Sequence, residues 1–169
     1  MFLYFTSALG GNLFSGIANP KAIGVGASTA VFGLVGFYLA YLLTNFTYMG
    51  RRRYGQRWCL LFFVVILVLV NLLAGSHSDS HIDNYAHLGG FITGFFAGLA
   101  ITEFFDYQAR KYGRVPDRYT AEEYEFLKSS YEFFNWIYTS IFGIWLLVLI
   151  IYYFAGVKTD FEYVEYGDD

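Results

Sequence analysis

The sequence is poor in cysteine and in charge, and both shortages exclude classes of protein. Its 169 residues include one cysteine, Cys59, so no disulfide can form within the chain. Charged residues make up 15% of the chain, whereas hydrophobic residues make up 56% and aromatic residues 22%. This composition excludes a water-soluble enzyme, a nucleic-acid-binding protein and a disordered chain.

The 11 basic and 14 acidic residues are absent from five long windows of the chain. These windows are 1–20, 22–50, 58–78, 84–102 and 133–157. Each is about as long as the ~20 residues that a helix needs to cross the hydrocarbon core of a bilayer. Because every backbone N–H and C=O group in lipid must bond within the chain, the pattern predicts an all-α, polytopic transmembrane helix bundle. The predicted spans lie near 2–17, 24–44, 58–74, 86–104 and 134–155.

The basic residues predict how these spans are oriented. The two segments that follow the second and the fourth span hold nine of the 11 basic side chains: Arg51, Arg52, Arg53, Arg57, Arg110, Lys111, Arg114, Arg118 and Lys128. The other connections hold Lys21 and Lys158. Since loops rich in lysine and arginine face the cytoplasm, the opposite ends of the spans are expected to face the lumen or the exterior.

Two segments lie outside the predicted spans. In 106–133, Pro116 interrupts the chain and Thr120 stands three residues before Glu123. This capping-box pattern predicts a short amphipathic helix at the cytoplasmic membrane surface, before the additional C-terminal span. Residues 156–169 form an acidic, aromatic tail without periodicity, which we expect to be disordered.

Two polar residues stand at membrane depth in this topology. Ser28 lies a few residues inside the start of the second span, and His87 lies at the same position in the fourth. Because both spans run inward from the outer surface, the two side chains are predicted at similar depth, just below that surface. A histidine within a membrane is costly to bury and more often functional than not.

Small residues predict that these two helices pack closely. The small-residue stripes are Gly90, Gly94 and Gly98 on the fourth span and Gly26, Ala30 and Gly33 on the second. Such faces let membrane helices approach backbone to backbone, so the hydroxyl of Ser28 and the imidazole of His87 are expected within hydrogen-bonding reach. Phe32 stands four residues after Ser28, on the same face, where it is well placed to stack on the imidazole.

A serine and a histidine in contact are the minimum for nucleophilic acyl transfer. A serine hydroxyl is a poor nucleophile until a base removes its proton, and a neutral imidazole can take that proton and return it to a leaving amine. Backbone N–H groups at the start of the second span point outward and would stabilise an oxyanion beside Ser28.

Other interpretations of the same residues stay open at this point. Ser28 can be a small packing residue, and His87 can be a proton relay or a metal ligand. The alternating set His77, Asp79, His81 and Asp83 is a candidate metal site. A solvated outer loop explains that set more simply. A channel or transporter is disfavoured because the spans hold no Asp, Glu, Lys or Arg except Glu103, at the end of the fourth span. Asn71 in the third span predicts a hydrogen bond between helices.

Two segments resemble the signatures of the rhomboid family of intramembrane serine proteases. Residues 26–34, GASTAVFGL, resemble the GxSx active-site segment of that family. Residues 83–91, DNYAHLGGF, together with Gly94 and Gly98, resemble its second signature, AHxGGxxxG. The residue after the serine is usually glycine in the family and is Thr29 here.

The resemblance, which covers about residues 1–105, implies a catalytic dyad with Ser28 as nucleophile and His87 as general base. The supporting residues that it implies are Gly26, Ala27, Phe32, Gly90 and Gly94. The implied activity is an endopeptidase that hydrolyses peptide bonds in or near the transmembrane helices of membrane-protein substrates, without a metal or another cofactor. Its partners are then transmembrane-helix substrates and the lipid bilayer, and not nucleic acid.

The resemblance also implies that the first two core helices of the family are missing from this chain. We therefore expect a C-terminal fragment of a longer protein, of the secretase type with an extra C-terminal helix, and we do not expect the fragment to be active by itself. The alternative is a catalytically inactive rhomboid-like protein that binds transmembrane clients. We expect a multi-pass membrane protein of the secretory pathway or the plasma membrane.

Overall fold

A computed structural model describes residues 1–20, 27–46, 55–74, 83–103 and 120–156 of the chain. Within these ranges the protein is helical and has no strand. The helices are α1 (Phe2–Ala18), α2 (Ser28–Thr44), α3 (Gln56–Ala74), α4 (Asn84–Ile101) and α5 (Ala121–Gly156). Each predicted span overlaps one of these helices, and the all-α helical bundle is confirmed.

The helices differ in whether their length and composition suit a bilayer. Over the described residues, Glu122–Ala155 is the helical stretch that is long and apolar enough to cross a membrane. Ser28–Thr44 and Gln56–Asn71 are apolar but shorter. The 17 residues of α2 extend about 26 Å at ~1.5 Å per residue, which falls slightly below the roughly 30 Å of a typical hydrocarbon core.

The C-terminal region is one helix of 36 residues, where the sequence analysis expected a short amphipathic helix followed by a separate span. The predicted capping box is present, since the N–H of Thr120 donates to Glu123 Oε2 at 2.7 Å and the N–H of Glu123 donates to Thr120 Oγ1 at 3.3 Å. From that cap to Gly143 the chain has no proline or glycine. Nothing therefore stops the helix from continuing into the apolar run.

Helix α4 lies at the centre of the bundle because small residues let its neighbours approach closely. A Cβ atom on Gly94 would overlap the backbone carbonyl of Gly33, and one on Gly90 would overlap the carbonyl of Thr29. A Cβ atom on Gly98 would lie 2.7 Å from that of Ala40. The contacts follow the order of the residues in both helices, so α2 and α4 run parallel. The predicted close packing of the two glycine stripes is confirmed for the described residues, and Gly26 lies outside them.

Helix α1 packs against α4 in the opposite direction. Gly11 lies against the backbone at Ala86 and Gly90, where a Cβ atom would come within 2.6 Å of the Ala86 carbonyl oxygen. One turn further along α1, Ser15 Oγ donates a 2.5 Å hydrogen bond to Asp83 Oδ2. Ser15 therefore joins the end of α1 to the first residue before α4.

Helix α5 is packed on the outside of this three-helix core. The indole N–H of Trp145 donates to Thr93 Oγ1 on α4 at 2.9 Å. Further along α5, the ring of Tyr153 covers Gly16 on α1, at 2.6 Å from the position of a Cβ atom. These two contacts show that α5 runs antiparallel to α4.

Helix α3 lies at the periphery, beside α2. At its first turn, Arg57 donates to the carbonyl of Phe46 at 3.2 Å and places its guanidinium 4.5 Å from the centre of that ring. The ring of Trp58 meets the same phenylalanine edge to face, with 5.2 Å between centroids. The beginning of α3 is therefore held next to the end of α2, and the helix runs back towards the end of the bundle that carries Ser28 and His87.

Candidate active site

Parallel packing of α2 and α4 brings Ser28 and His87 to the same height. Ser28 is the first residue of α2, and His87 is the fourth residue of α4. Ser28 Oγ lies 2.7 Å from His87 Nε2. The predicted hydrogen-bonding reach between a hydroxyl on one helix and an imidazole on the other is confirmed.

The second ring nitrogen of His87 has a partner on α3. Nδ1 lies 3.0 Å from the carboxamide oxygen of Asn71. A carboxamide oxygen can only accept, so Nδ1 carries the proton in this arrangement and Nε2 is left to accept from the hydroxyl of Ser28. The predicted interhelical hydrogen bond of Asn71 is confirmed, and its partner is the imidazole itself.

The face of the imidazole is covered by Phe32, as the spacing on α2 predicted. The two ring centroids are 4.6 Å apart and the planes differ by 17°, which is a stacked arrangement. With both nitrogens bonded and one face stacked, the orientation of the ring is determined by residues from α2 and α3.

The first turn of α4 is closed by Asp83. Its Oδ1 accepts from the backbone N–H of Ala86 at 2.9 Å, and its other oxygen accepts from Ser15. Aspartate is a favoured N-cap because its carboxylate bonds an N–H group that has no partner within the helix. This cap lies one turn before His87, so it supports the segment of backbone that carries the imidazole.

The two members of the pair differ in accessibility. The side chain of His87 is buried, with 8% of the residue exposed, whereas Ser28 is exposed. The neighbouring Thr29 is buried, and its methyl group fills the space that Gly11 and Gly90 leave open. An accessible hydroxyl beside a buried, hydrogen-bonded imidazole can attack an electrophilic carbonyl and lose its proton in the same step.

The predicted site has four further residues, Gly26, Ala27, Gly90 and Gly94. Gly90 and Gly94 lie in the contact between α2 and α4, and Ala27 is the N-cap residue of α2 without a side-chain cap. Gly26 lies outside the described residues.

The metal hypothesis concerns mostly residues beyond the described ranges. His77, Asp79 and His81 lie outside them, and Asp83 is the N-cap of α4. Among the described residues no group of three or more histidine, cysteine, aspartate or glutamate side chains could hold a metal ion.

Asn71 is the residue of the site that sequence reasoning did not place there. The signal was present, because a carboxamide in a charge-free apolar span needs a partner. The third span also runs opposite to the fourth, so a polar residue near its end lies at the depth of a polar residue near the start of its neighbour. Span counting alone did not show which neighbour faces it.

The chain is similar to known proteins over most of its length. A family model described as the Rhomboid domain matches residues 1–104. RHOMBOID-like protein 1 of Arabidopsis thaliana is 36% identical over 155 residues, which are 92% of this chain and 36% of that protein. RHOMBOID-like protein 5 of the same plant is 34% identical over 125 residues, 73% of this chain and 37% of the relative. Rhomboid-like protease 3 of Toxoplasma gondii is 36% identical over 94 residues, 54% of this chain and 33% of the relative.

The chain thus spans about a third of the length of these curated relatives. No solved structure gives a significant match. The family model covers more than half of the chain, and the relatives exceed 30% identity. Both findings agree with the two sequence signatures and with the helix bundle. The chain belongs to the rhomboid family, whose members are integral membrane proteins.

Proposed function

We propose that this chain carries the catalytic dyad of an intramembrane serine endopeptidase, with Ser28 as nucleophile and His87 as general base. The observation that supports the proposal most strongly is the 2.7 Å contact between Ser28 Oγ and His87 Nε2, between two helices whose glycines lie against each other's backbone. Two matching relatives from Toxoplasma gondii are named rhomboid-like proteases.

In the first half of the reaction, Ser28 Oγ attacks the carbonyl carbon of a peptide bond while His87 Nε2 takes the hydroxyl proton. The C–N bond then breaks, and the imidazolium gives that proton to the leaving amine. The products of this half are a free amine terminus and an ester between the substrate and Ser28.

In the second half, water attacks the ester carbonyl and gives its proton to His87. The C–O bond to the serine breaks, and the proton returns to Ser28 Oγ, which releases a carboxylic acid terminus. Negative charge develops on the carbonyl oxygen in both halves. The N–H groups of the first turn of α2 have no acceptor within the helix, and we propose that they stabilise this charge.

The proposed substrates are membrane proteins with a transmembrane helix, cleaved in or near that helix. The dyad lies at the ends of apolar helices, where a peptide bond within the bilayer interface can reach the exposed Ser28. A peptide bond in a helix is covered by its own hydrogen bonds, so the substrate must unwind locally before attack. We place the protein in the secretory pathway or the plasma membrane as a multi-pass protein.

The proposal is tested by labelling the complete protein with a fluorophosphonate probe in detergent. We expect covalent modification of Ser28, and loss of modification in the Ser28→Ala and His87→Ala variants. Ser140→Ala is the matched control, because Ser140 is an exposed serine on α5 that bonds the carbonyl of Trp136. Cleavage of a transmembrane substrate in liposomes is measured in parallel and should follow the same pattern.

A folded wild-type protein that neither labels at Ser28 nor cleaves any transmembrane substrate contradicts the proposal. That result supports the alternative function, an inactive rhomboid-like protein that binds transmembrane clients. Capture of such a client by both the wild type and the Ser28→Ala variant then distinguishes binding from catalysis.

A further inference from the structure

We propose that Asn71 is the positioning residue of the dyad, and that its carboxamide oxygen holds His87 in the tautomer that can accept a proton from Ser28. This inference rests on the proposed peptidase function. It adds a third residue, from a third helix, to the pair that the sequence signatures contain.

The atoms at the imidazole support this role. Asn71 Oδ1 is 3.0 Å from Nδ1, and Ser28 Oγ is 2.7 Å from Nε2. A neutral imidazole carries one proton, which lies either on Nδ1 or on Nε2. With the carboxamide oxygen facing the ring, as it does here, the neutral form that satisfies both contacts is the Nδ1-protonated one, because it donates to Asn71 and accepts from the hydroxyl of Ser28. The other form would direct two lone pairs at each other and would leave the base without its proton acceptor.

The chemistry of the third group is suited to an apolar site. A general base for a serine is normally oriented by a group that accepts from its far nitrogen. A carboxylate in this place would add a charge within the bilayer, which is costly. A carboxamide provides the same acceptor oxygen without a charge. Asn71 is half-buried beside His87, and the rest of α3 after Arg57 is apolar.

Asp83 is a further polar residue near His87 in the sequence, and its contacts give it a different role. Its two carboxylate oxygens accept from the N–H of Ala86 and from Ser15 Oγ, so it closes the first turn of α4. The N–H at Nδ1 of His87 donates instead to the carboxamide oxygen of Asn71. Asp83 and Asn71 therefore have different roles: Asp83 supports the backbone and Asn71 orients the ring.

The test replaces Asn71 in the complete protein and measures Ser28 labelling and peptide cleavage. Asn71→Leu keeps the approximate volume and removes the acceptor, and Asn71→Asp restores an acceptor oxygen. We expect Asn71→Leu to lower kcat and the labelling rate by about 10–10²-fold with KM unchanged. This is less than the roughly 10⁴-fold loss seen when the histidine of a serine protease is held in the wrong tautomer, because a histidine without a partner still samples both forms. Asn71→Asp should recover at least part of the loss.

Asn135→Leu is the matched control, because it makes the same exchange in another helix. The contact between Trp145 on α5 and Thr93 on α4 is the reference point. From it, Asn135 lies ten residues towards one end of the bundle, and His87 lies six residues towards the opposite end. Since α4 and α5 are antiparallel, the two side chains are about 24 Å apart along the helix axes, from six residues on α4 and ten on α5 at ~1.5 Å each. We expect wild-type rates from this variant.

The protonation of the ring gives a readout that a purely structural role would not change. In the ¹⁵N spectrum of the wild type, His87, assigned by difference from the His87→Ala variant, should show a protonated Nδ1 and a bare Nε2. The Asn71→Leu variant should show a mixture of the two tautomers. If Asn71→Leu does not fold, the wild-type spectrum still decides, since a protonated Nε2 overturns the inference.

The failure of the inference and the failure of the proposed function give different results. If the wild type does not label at Ser28, the proposed function fails. If the wild type labels, and Asn71→Leu labels and cleaves at the wild-type rate with unchanged tautomer signals, the dyad is correct and the role of Asn71 is wrong.

Discussion

Helices α4 and α3 both supply a side chain to the site, but they are held in different ways. Half of the 18 residues of α4 are buried, most of them small, and its backbone lies directly against the carbonyl groups of α2. Helix α3 buries Val64 but exposes large apolar side chains along its length, with Phe62 and Leu73 each 67% exposed. His87 is therefore carried by a helix that packs through its backbone, and its hydrogen-bond partner Asn71 by a helix at the periphery.

The difference shows how position and orientation are separated in this site. The distance between Ser28 and His87 depends on the contact of α2 with α4, where glycines let the two backbones pack directly against each other. The rotation of the imidazole depends on a side chain from α3. A movement of α3 would then change the orientation of the ring and leave the positions of the two backbones unchanged.

The largest effect should come from adding a side chain where α4 touches α2. Gly94→Val places branched carbons into the carbonyl of Gly33, and neither backbone can give way. We expect a loss of about 3 kcal/mol or more of stability, at the upper end of the range for overpacking, and loss of Ser28 labelling. The loss of stability is measured by thermal unfolding in detergent, and the loss of labelling is measured with the fluorophosphonate probe.

Gly143→Ala is the control for that substitution. Gly143 lies within α5, and an added Cβ atom there would meet no atom within 4 Å. We expect a stability equal to or slightly above that of the wild type, because alanine favours the helix. If Gly94→Val unfolds at the wild-type temperature, the backbone contact does not fix α4.

A smaller effect is expected from the polar tie between α1 and α4. Ser15→Ala removes the 2.5 Å hydrogen bond to Asp83 and leaves the capping bond to Ala86 in place. Hydrogen bonds to charged groups contribute about 1.5–3 kcal/mol, so the unfolding temperature should fall measurably. Labelling at Ser28 should continue at temperatures where the variant is folded. An unchanged unfolding temperature would show that the cap alone holds this end of α4.

The contact of α5 with α4 should matter less again. Trp145→Phe removes the N–H that donates to Thr93 and keeps an aromatic ring beside Phe14 and Phe96. We expect a loss of about 0.5–1.5 kcal/mol, the usual net value of one hydrogen bond, in thermal unfolding. A loss as large as that from Gly94→Val would mean that α5 belongs to the fixed core.

The smallest effect is expected on the exposed face of α3. Phe62→Ala removes a side chain that is 67% exposed, and in a bilayer lipid surrounds such a face in both the packed and the separated helix. We expect a change within about 0.5 kcal/mol, as for surface substitutions generally, and unchanged Ser28 labelling. A strong decrease would show that another part of the complete protein packs on this face, and the contrast between α3 and α4 would then disappear.

Particular residues show how far prediction from the sequence reached. Ser28, His87 and Phe32 were brought together correctly, because charge counting set the direction of the spans and the glycine stripes set which faces meet. The C-terminal region was divided wrongly into two helices. A capping box followed by charged residues is found both in a short surface helix and at the start of a long helix, so this pattern does not distinguish the two.

The sequence by itself determined the helical class, the family and the equal height of Ser28 and His87, because these follow from the charge-free windows, from two short signatures and from the order of the spans. Only the tertiary structure decided that Asn71 bonds the imidazole, that Asp83 and Ser15 join α1 to α4, and that Trp145 docks α5. Each of these contacts depends on how one helix is rotated against another. A rotation of that kind is determined by packing across the whole bundle and leaves no local periodic signal.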